Sequence, residues 1–327
     1  MSEPLAVAAS ANRTHWVGFK LPLFRVNQLL WWIFGLFSRA ARLSSLDYIV
    51  HSTDKVPQSA LYNRKIAESL GIYQQWEKLV EEFTKRHLTK PVDRISAIAG
   101  LAEKRHKETN DQYLMGLWSN DLQNHLLWCV VDPAKTSRIT QLSDAPTWSW
   151  VAVNSAVRFP KRPYDMHRFE SPMPSPIGNA ISIEEVELER KGQNQFTQLS
   201  PARITLEGRL IHASMQNTRH KNPKQDFFFD WVALDEKQRT CGHVILDSER
   251  FHVNGLSVEC LWIDPGVAED LDLDPEPERY TGGFGLALLR TPDTTGRPIY
   301  IRIGFVQFAG AVIKWIDKVE VSIISII

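Results

Sequence analysis

The second half of the chain sets the tightest constraint on its fold. From residue 181 onward, short pieces rich in Val, Ile and aromatic residues recur between turns of Gly, Pro, Asn and Asp: ISIEEVELE, RITLEGRLIHA, DFFFDWVAL, GHVILD, LSVECLWI, FGLALLR, IYIRIGFVQF and VEVSIISII. Pieces of this kind read as strands. No helical pattern of any length separates them, which favours a mostly antiparallel sandwich or barrel over a parallel sheet. Trp148 to Val153, within APTWSWVAV, is expected to be the first strand of that sheet.

The grammar before Asp132 is different. From Tyr62 to Arg86 the apolar residues Ile66, Leu70, Tyr73, Trp76, Leu79, Val80 and Phe83 recur every three or four positions, the spacing of an amphipathic helix. A second helix is expected after HLTKPV, opened by Pro91 with Asp93 as N-cap, and carrying Ile95, Ile98, Ala99 and Ala102 on one face. It should fray into EKRHKETN. Two short helices, Gln112 to Trp118 and Leu122 to Cys129, are expected next, with a break at Ser119 and Asn120. Their tryptophans and leucines, notably Tyr113, Leu117, Trp118, Leu127 and Trp128, should be buried where helices meet sheet. The fold class is therefore α+β. An N-terminal segment (1–60) with an apolar helix precedes a helical region (61–131) and a β-rich domain (132–327), the last with a Pro-rich loop at 160–176.

Charge and cysteine content remove several function classes. The 327 residues hold 38 basic and 38 acidic side chains, so no net field draws the chain to nucleic acid or an anionic membrane. Cys129, Cys241 and Cys260 are far apart and form no CxxC pair, which argues against a disulfide framework and for a reducing compartment, the cytoplasm. The first residues lack the basic start and apolar core of a secretory signal. The longest apolar run, Leu29 to Phe37, is too short to span a bilayer, which needs about twenty residues. It suits burial against the protein or a partner, with weak interfacial membrane contact as the lesser reading.

Candidate chemistry is sparse. Asp270, Asp272 and Asp274 occupy the first ligand positions of a calcium loop, but Pro275 stands where the turn needs glycine and Thr281 where a bidentate glutamate belongs. Cys241, His243 and Cys260 lack the spacing of a zinc site. TGGFG, residues 281–285, leads toward a strand rather than a helix and so fails as a phosphate loop. No nucleophile elbow or zincin motif occurs, and the histidines, among them His87, His106, His125 and His212, are dispersed. No catalytic, cofactor-binding or metal-ligating set is assigned.

The order of features is more specific than any one of them. WEKLVEEFTKRHLTKPVDRISAIAGLA, then DQYLMGLWSNDLQNHLLWCV, then APTWSWVAV resembles the region that follows the HET domain in fungal heterokaryon incompatibility proteins. The pattern is carried by Trp76, Phe83, Thr84, Arg86, Leu88 and Thr89, then by Asp93, Ala97 and Gly100, and by Tyr113, Gly116, Leu117 and Trp118. It continues in Leu126, Leu127 and Trp128, in Ala145, Pro146, Trp148, Ser149 and Trp150, and more loosely in Arg302, Gly304 and Phe305. The resemblance implies a part in non-self recognition or programmed cell death in a filamentous fungus. It also implies an upstream HET domain marked by L-S-Y-x-W-G and W-x-D-x-x-C-I-x-Q segments, and neither stands before Tyr62. The chain is thus expected to correspond to the downstream half of such a protein, as a stand-alone form, a truncated product or a gene model short of its first exons. The expected function is a non-enzymatic interaction or accessory module with a protein partner and no cofactor. The alternatives are an enzyme or small-ligand binder with its site in the β-rich domain, and a truncated product without function.

Overall fold

A computed structural model describes residues 58–86, 93–139, 144–160, 180–189, 194–197, 200–217, 231–264, 281–292 and 298–327. All fall in the unit Pro57–Ile327. The apolar run Leu29 to Phe37, the positions His87 to Pro91, most of the Pro-rich loop and the acidic loop around Asp270, Asp272 and Asp274 lie outside the described residues.

The β-rich half forms one eight-stranded sheet: β5 (Ile181–Leu188), β6 (Ala202–Asn217), β7 (Trp231–Leu234), β8 (Thr240–Leu246), β9 (Ser257–Asp264), β10 (Thr281–Arg290), β11 (Ile299–Ala309) and β12 (Val321–Ile326). Six of these close a ring of antiparallel pairs in the order β6, β9, β10, β11, β8, β7 and back to β6. The sheet is a barrel. β12 lies between β6 and β11, antiparallel to the first and parallel to the second, while β5 pairs with the first half of β6. TGGFG opens β10 and so leads into a strand, as its position before FGLALLR predicts.

Inward-facing positions alternate along the strands, as the pleat requires. Ile211, Ala213 and Met215 of β6 meet Val258, Cys260 and Trp262 of β9 in one buried cluster, joined by Cys241 and Val244 of β8 and by Ile303 and Phe308 of β11. The bore of the barrel is filled with side chains.

The helical half stacks on this barrel. Helix α1 (Gln58–Thr84) buries Tyr73, Trp76, Val80 and Phe83, and α2 (Arg94–Thr109) buries Ile95, Ile98, Ala99 and Ala102, the faces that the three-to-four spacing predicts. Two details of α2 differ from expectation. Asp93 holds the N-cap position but its side chain makes no capping bond, and the polar EKRHKET stretch stays helical through Thr109 until Asn110 closes it in the left-handed conformation. A Lys107–Glu103 pair one turn apart supports that polar stretch.

The larger corrections concern the tryptophan segments. Gln112 to Trp118 is a hairpin, not a helix: β1 (Tyr113–Leu114) pairs with β2 (Leu117–Trp118) across a two-residue turn. Met115 and Gly116 both take positive φ, 49° and 98°, the requirement of a tight hairpin turn matched to strand twist. The following helix, α3 (Leu122–His125), is a single turn, and Cys129 has already entered β3 (Cys129–Val130). Trp148 to Val153 does not begin the sheet. Trp150–Ala152 is a short 3-10 turn capped by Ser149, and β3 pairs instead with β4 (Val157–Arg158). Alternating apolar residues misled the strand reading because both faces of this segment are buried.

Candidate functional site

The residues of the tryptophan pattern converge on the joint between helices and barrel. The indole N–H groups of Trp76 and Trp150 both donate to the Gly116 carbonyl, at 2.9 and 3.0 Å, and Trp128 donates to the Trp148 carbonyl at 2.8 Å. Ring edges meet ring faces between Trp76 and Trp118 and between Phe83 and Trp150. Gly116 must be glycine on two counts: its φ is positive, and a Cβ there would stand 2.7 Å from the Trp150 indole nitrogen. Thr84 receives the Val157 backbone N–H, and the Ser149 hydroxyl donates to the Met115 carbonyl. Not every signature position is satisfied in this way: Tyr113 Oη, Trp118 Nε1 and Trp148 Nε1 are buried without a hydrogen-bond partner among the described residues.

Arg302 ties this joint to the barrel. Its guanidinium is buried, donates to Asp247 at 2.9 Å and to the Leu126 carbonyl at 2.7 Å, donates also to the Trp128 carbonyl, and stacks on the Trp128 ring. Its backbone N–H reaches the Thr147 hydroxyl, which in turn donates to the Ile327 carbonyl. Burial pushes the Asp247 carboxyl up and the Arg302 guanidinium down, and each is the main counterweight to the other's shift. Gly304, two residues on, lets β8 approach, since a Cβ would come within 2.6 Å of the Ile245 carbonyl oxygen. The Arg-x-Gly-Phe segment is thus a clasp of the fold.

Among the described residues, one group has the makings of a metal site. Glu77, Asp121 and His125 are buried with ligand atoms within 4.8 Å of one another. The imidazole argues against an ion. His125 Nδ1 accepts the Trp118 backbone N–H at 3.1 Å, so the ring proton resides on Nε2, which faces Asp121 Oδ2 at 3.8 Å. A metal-bound histidine does the reverse, donating its second N–H outward. Metal at Nε2 here would demand an imidazolate. The trio is a buried histidine held between carboxylates, packed against Tyr73 and Phe159.

A second constellation escapes the linear sequence altogether. His212 of β6 stands opposite Glu259 of β9, its Nδ1 2.9 Å from Glu259 Oε1, and Ser257 Oγ lies 3.5 Å from His212 Nε2. Hydroxyl, imidazole and carboxylate follow in the order of a nucleophilic triad. Ser257 and Glu259, two apart on a strand, were legible as sharing a face, whereas their partner lies 45 positions from the serine. The imidazole side chain is 53% exposed, so water screens the electrostatic support that a desolvated site supplies. A hydrogen bond between side chains of neighbouring strands on the outside of a barrel accounts for the contact and contributes about 0.2–1 kcal/mol.

Cys241 and Cys260 go into the packed bore, and burial raises both thiols. They form no ligand group with His243 among the described residues. No helix among the described residues is long and apolar enough to cross a membrane. Compared with protein-family models, curated proteins and solved structures, the chain matches none significantly.

Proposed function

We propose that the chain is a non-enzymatic interaction module, related to fungal heterokaryon incompatibility proteins, that acts in the cytoplasm on a protein partner. The observation that carries the non-enzymatic reading is the use made of the signature residues. Trp76, Trp150 and Ser149 tie α1 and the 3-10 turn to the β1–β2 hairpin, Trp128 bonds the Trp148 carbonyl, and Arg302 joins this assembly to the barrel, so these polar groups serve packing. The filled bore supports the same reading, because the interior and mouth of a barrel are where such folds usually hold small ligands. The link to non-self recognition and cell death rests on the sequence resemblance over residues 76 to 153.

The test pairs turnover with capture. The purified chain, offered NAD, ATP or an activated ester, is expected to consume none of them, and crosslinking in a filamentous-fungus lysate is expected to recover one defined protein partner. Turnover that a single point substitution abolishes would overturn the proposal.

The second reading, a hydrolase, has one observation in its favour, the Ser257, His212 and Glu259 alignment. It requires that ester hydrolysis be lost in Ser257→Ala with the melting temperature unchanged. Equal rates in the two proteins eliminate it.

A further inference from the structure

A cleft of about 700 Å³ opens where the end of the β5–β6 hairpin faces the Ala145–Thr147 segment and the turn carrying Arg250. Its volume lies in the range of small-molecule sites, roughly 300–1,000 Å³. Ala145, Pro146, Leu188, Pro201, Ala202 and Ile301 give it apolar walls.

Its charged residues number three of each sign, but they are not all paired with one another. Arg138, Arg203 and Arg250 line it together with Asp144, Glu187 and Glu189. Glu187 stands directly opposite Arg203 in the β5–β6 ladder, a cross-strand pair of opposite charge. Asp144 and Glu189 make interactions of their own. The nearby carboxylate of Asp247 is already bound by Arg302 through two nitrogens. Arg138 and Arg250 remain: burial and the neighbouring Arg250 push the Arg138 guanidinium down against the pull of Asp247, and neither arginine forms an ion pair among the described residues.

Both are held in place by neutral contacts. Arg138 donates one nitrogen to the Ala145 carbonyl at 2.6 Å, and its backbone is pinned by a bridge to Val153. Arg250 lies over the Phe251 ring, 4.4 Å from its centroid. Guanidiniums held in place and outside an ion pair can grip an oxyanion through charge-assisted bonds.

We propose that this cleft binds a small organic anion, a carboxylate or phosphate ester on an apolar body, with Arg138 and Arg250 holding the oxyanion and Leu188, Pro146 and Ile301 receiving the body. The inference stands apart from the interaction-module reading, because partner capture and small-anion binding are scored separately.

The test is calorimetric titration of the full chain with phenyl phosphate, 3-phenylpropionate, inorganic phosphate and neutral benzyl alcohol. The two aryl anions are expected to bind, more tightly than inorganic phosphate, while benzyl alcohol does not. Which aryl anion binds better identifies the headgroup. Arg250→Gln should weaken binding about tenfold to a hundredfold, the loss of a hydrogen bond to a charged group. Arg239→Gln, at an exposed arginine that pairs with Asp235 and does not line the cleft, should leave binding unchanged. No binding at millimolar probe, equal binding of benzyl alcohol and the anions, or indifference to Arg250→Gln overturns the proposal. Equal affinity for inorganic phosphate overturns its apolar half.

Discussion

Arg302 and the Arg138–Arg250 pair both border the Ala145–Thr147 segment, yet the fold treats them in opposite ways. Arg302 has its charge matched by Asp247, its remaining nitrogens bound to two carbonyls and an indole beneath its plane. Arg138 and Arg250 line a cleft, one held by a backbone carbonyl and the other by a ring, and neither forms an ion pair among the described residues. A buried cation with all three nitrogens bonded is part of the scaffold, because removing its carboxylate strands a charge out of water. A pair of cations at a cleft wall, outside any ion pair among the described residues, contributes less to the scaffold and keeps donors available to a ligand. The contrast separates residues that hold the protein together from residues free to bind.

Breaking the buried side should have the largest effect. Asp247→Ala leaves the Arg302 guanidinium buried and unpaired and should cost about 3–5 kcal/mol in chemical denaturation; a cost under 1 kcal/mol would mean that water reaches the guanidinium. Trp128→Ala removes the ring under that guanidinium together with a bond to the Trp148 carbonyl, and should also cost about 3–5 kcal/mol. Gly116→Ala forces a side chain into a positive-φ turn and against Trp150, for about 1–3 kcal/mol, and should disturb the near-ultraviolet signal of the tryptophans.

Alkaline pH probes the same interior. Burial holds the thiols of Cys129 and Cys241 at about 11, while an unfolded cysteine titrates near ~8.5. Their contribution is complete below the unfolded value and is lost as pH rises through the folded one. Each thiol should therefore remove up to about 1.4 kcal/mol per pH unit between those values. Denaturation measured across that window should show a shallower decline in Cys129→Ala, and an unchanged slope would mean that the thiol is not shielded. Arg250→Gln closes the series with a stability change within roughly 0.5 kcal/mol, as for other surface substitutions. A larger loss would move Arg250 to the scaffold side of the comparison.

How much of this was visible in the residues differs by level. The strands from Ile181 onward follow from runs of Val, Ile and aromatic residues set between turns, and the buried faces of α1 and α2 from three-to-four spacing, which a wet opposite face keeps clean. Tyr113 to Trp118 and Trp148 to Val153 broke the rule. Both faces of those segments are buried, so spacing carried no information, and Met-Gly is not a usual hairpin pair. The closure of the barrel was open in the same way, since sandwich and barrel share a strand pattern. The functional groupings are illegible for a plainer reason: His212 meets Glu259, and Arg302 meets Leu126, through register and stacking that join positions 47 and 176 apart. Only the Asp121 and His125 spacing, one helical turn, lay within reach of local reading.

The sixteen residues of β6 have one further consequence. Its first half pairs with β5 and β12 and its second half with β9 and β7, so four ladders hang on a single strand. β5, β7, β9 and β12 cannot come loose without breaking one of those ladders, and amides near the middle of β6, around Leu206 to Ile211, should exchange with solvent only when much of the sheet opens. In native-state hydrogen exchange these protons would then be the slowest in the molecule, and the strand would act as the common axle on which the cooperativity of the barrel turns.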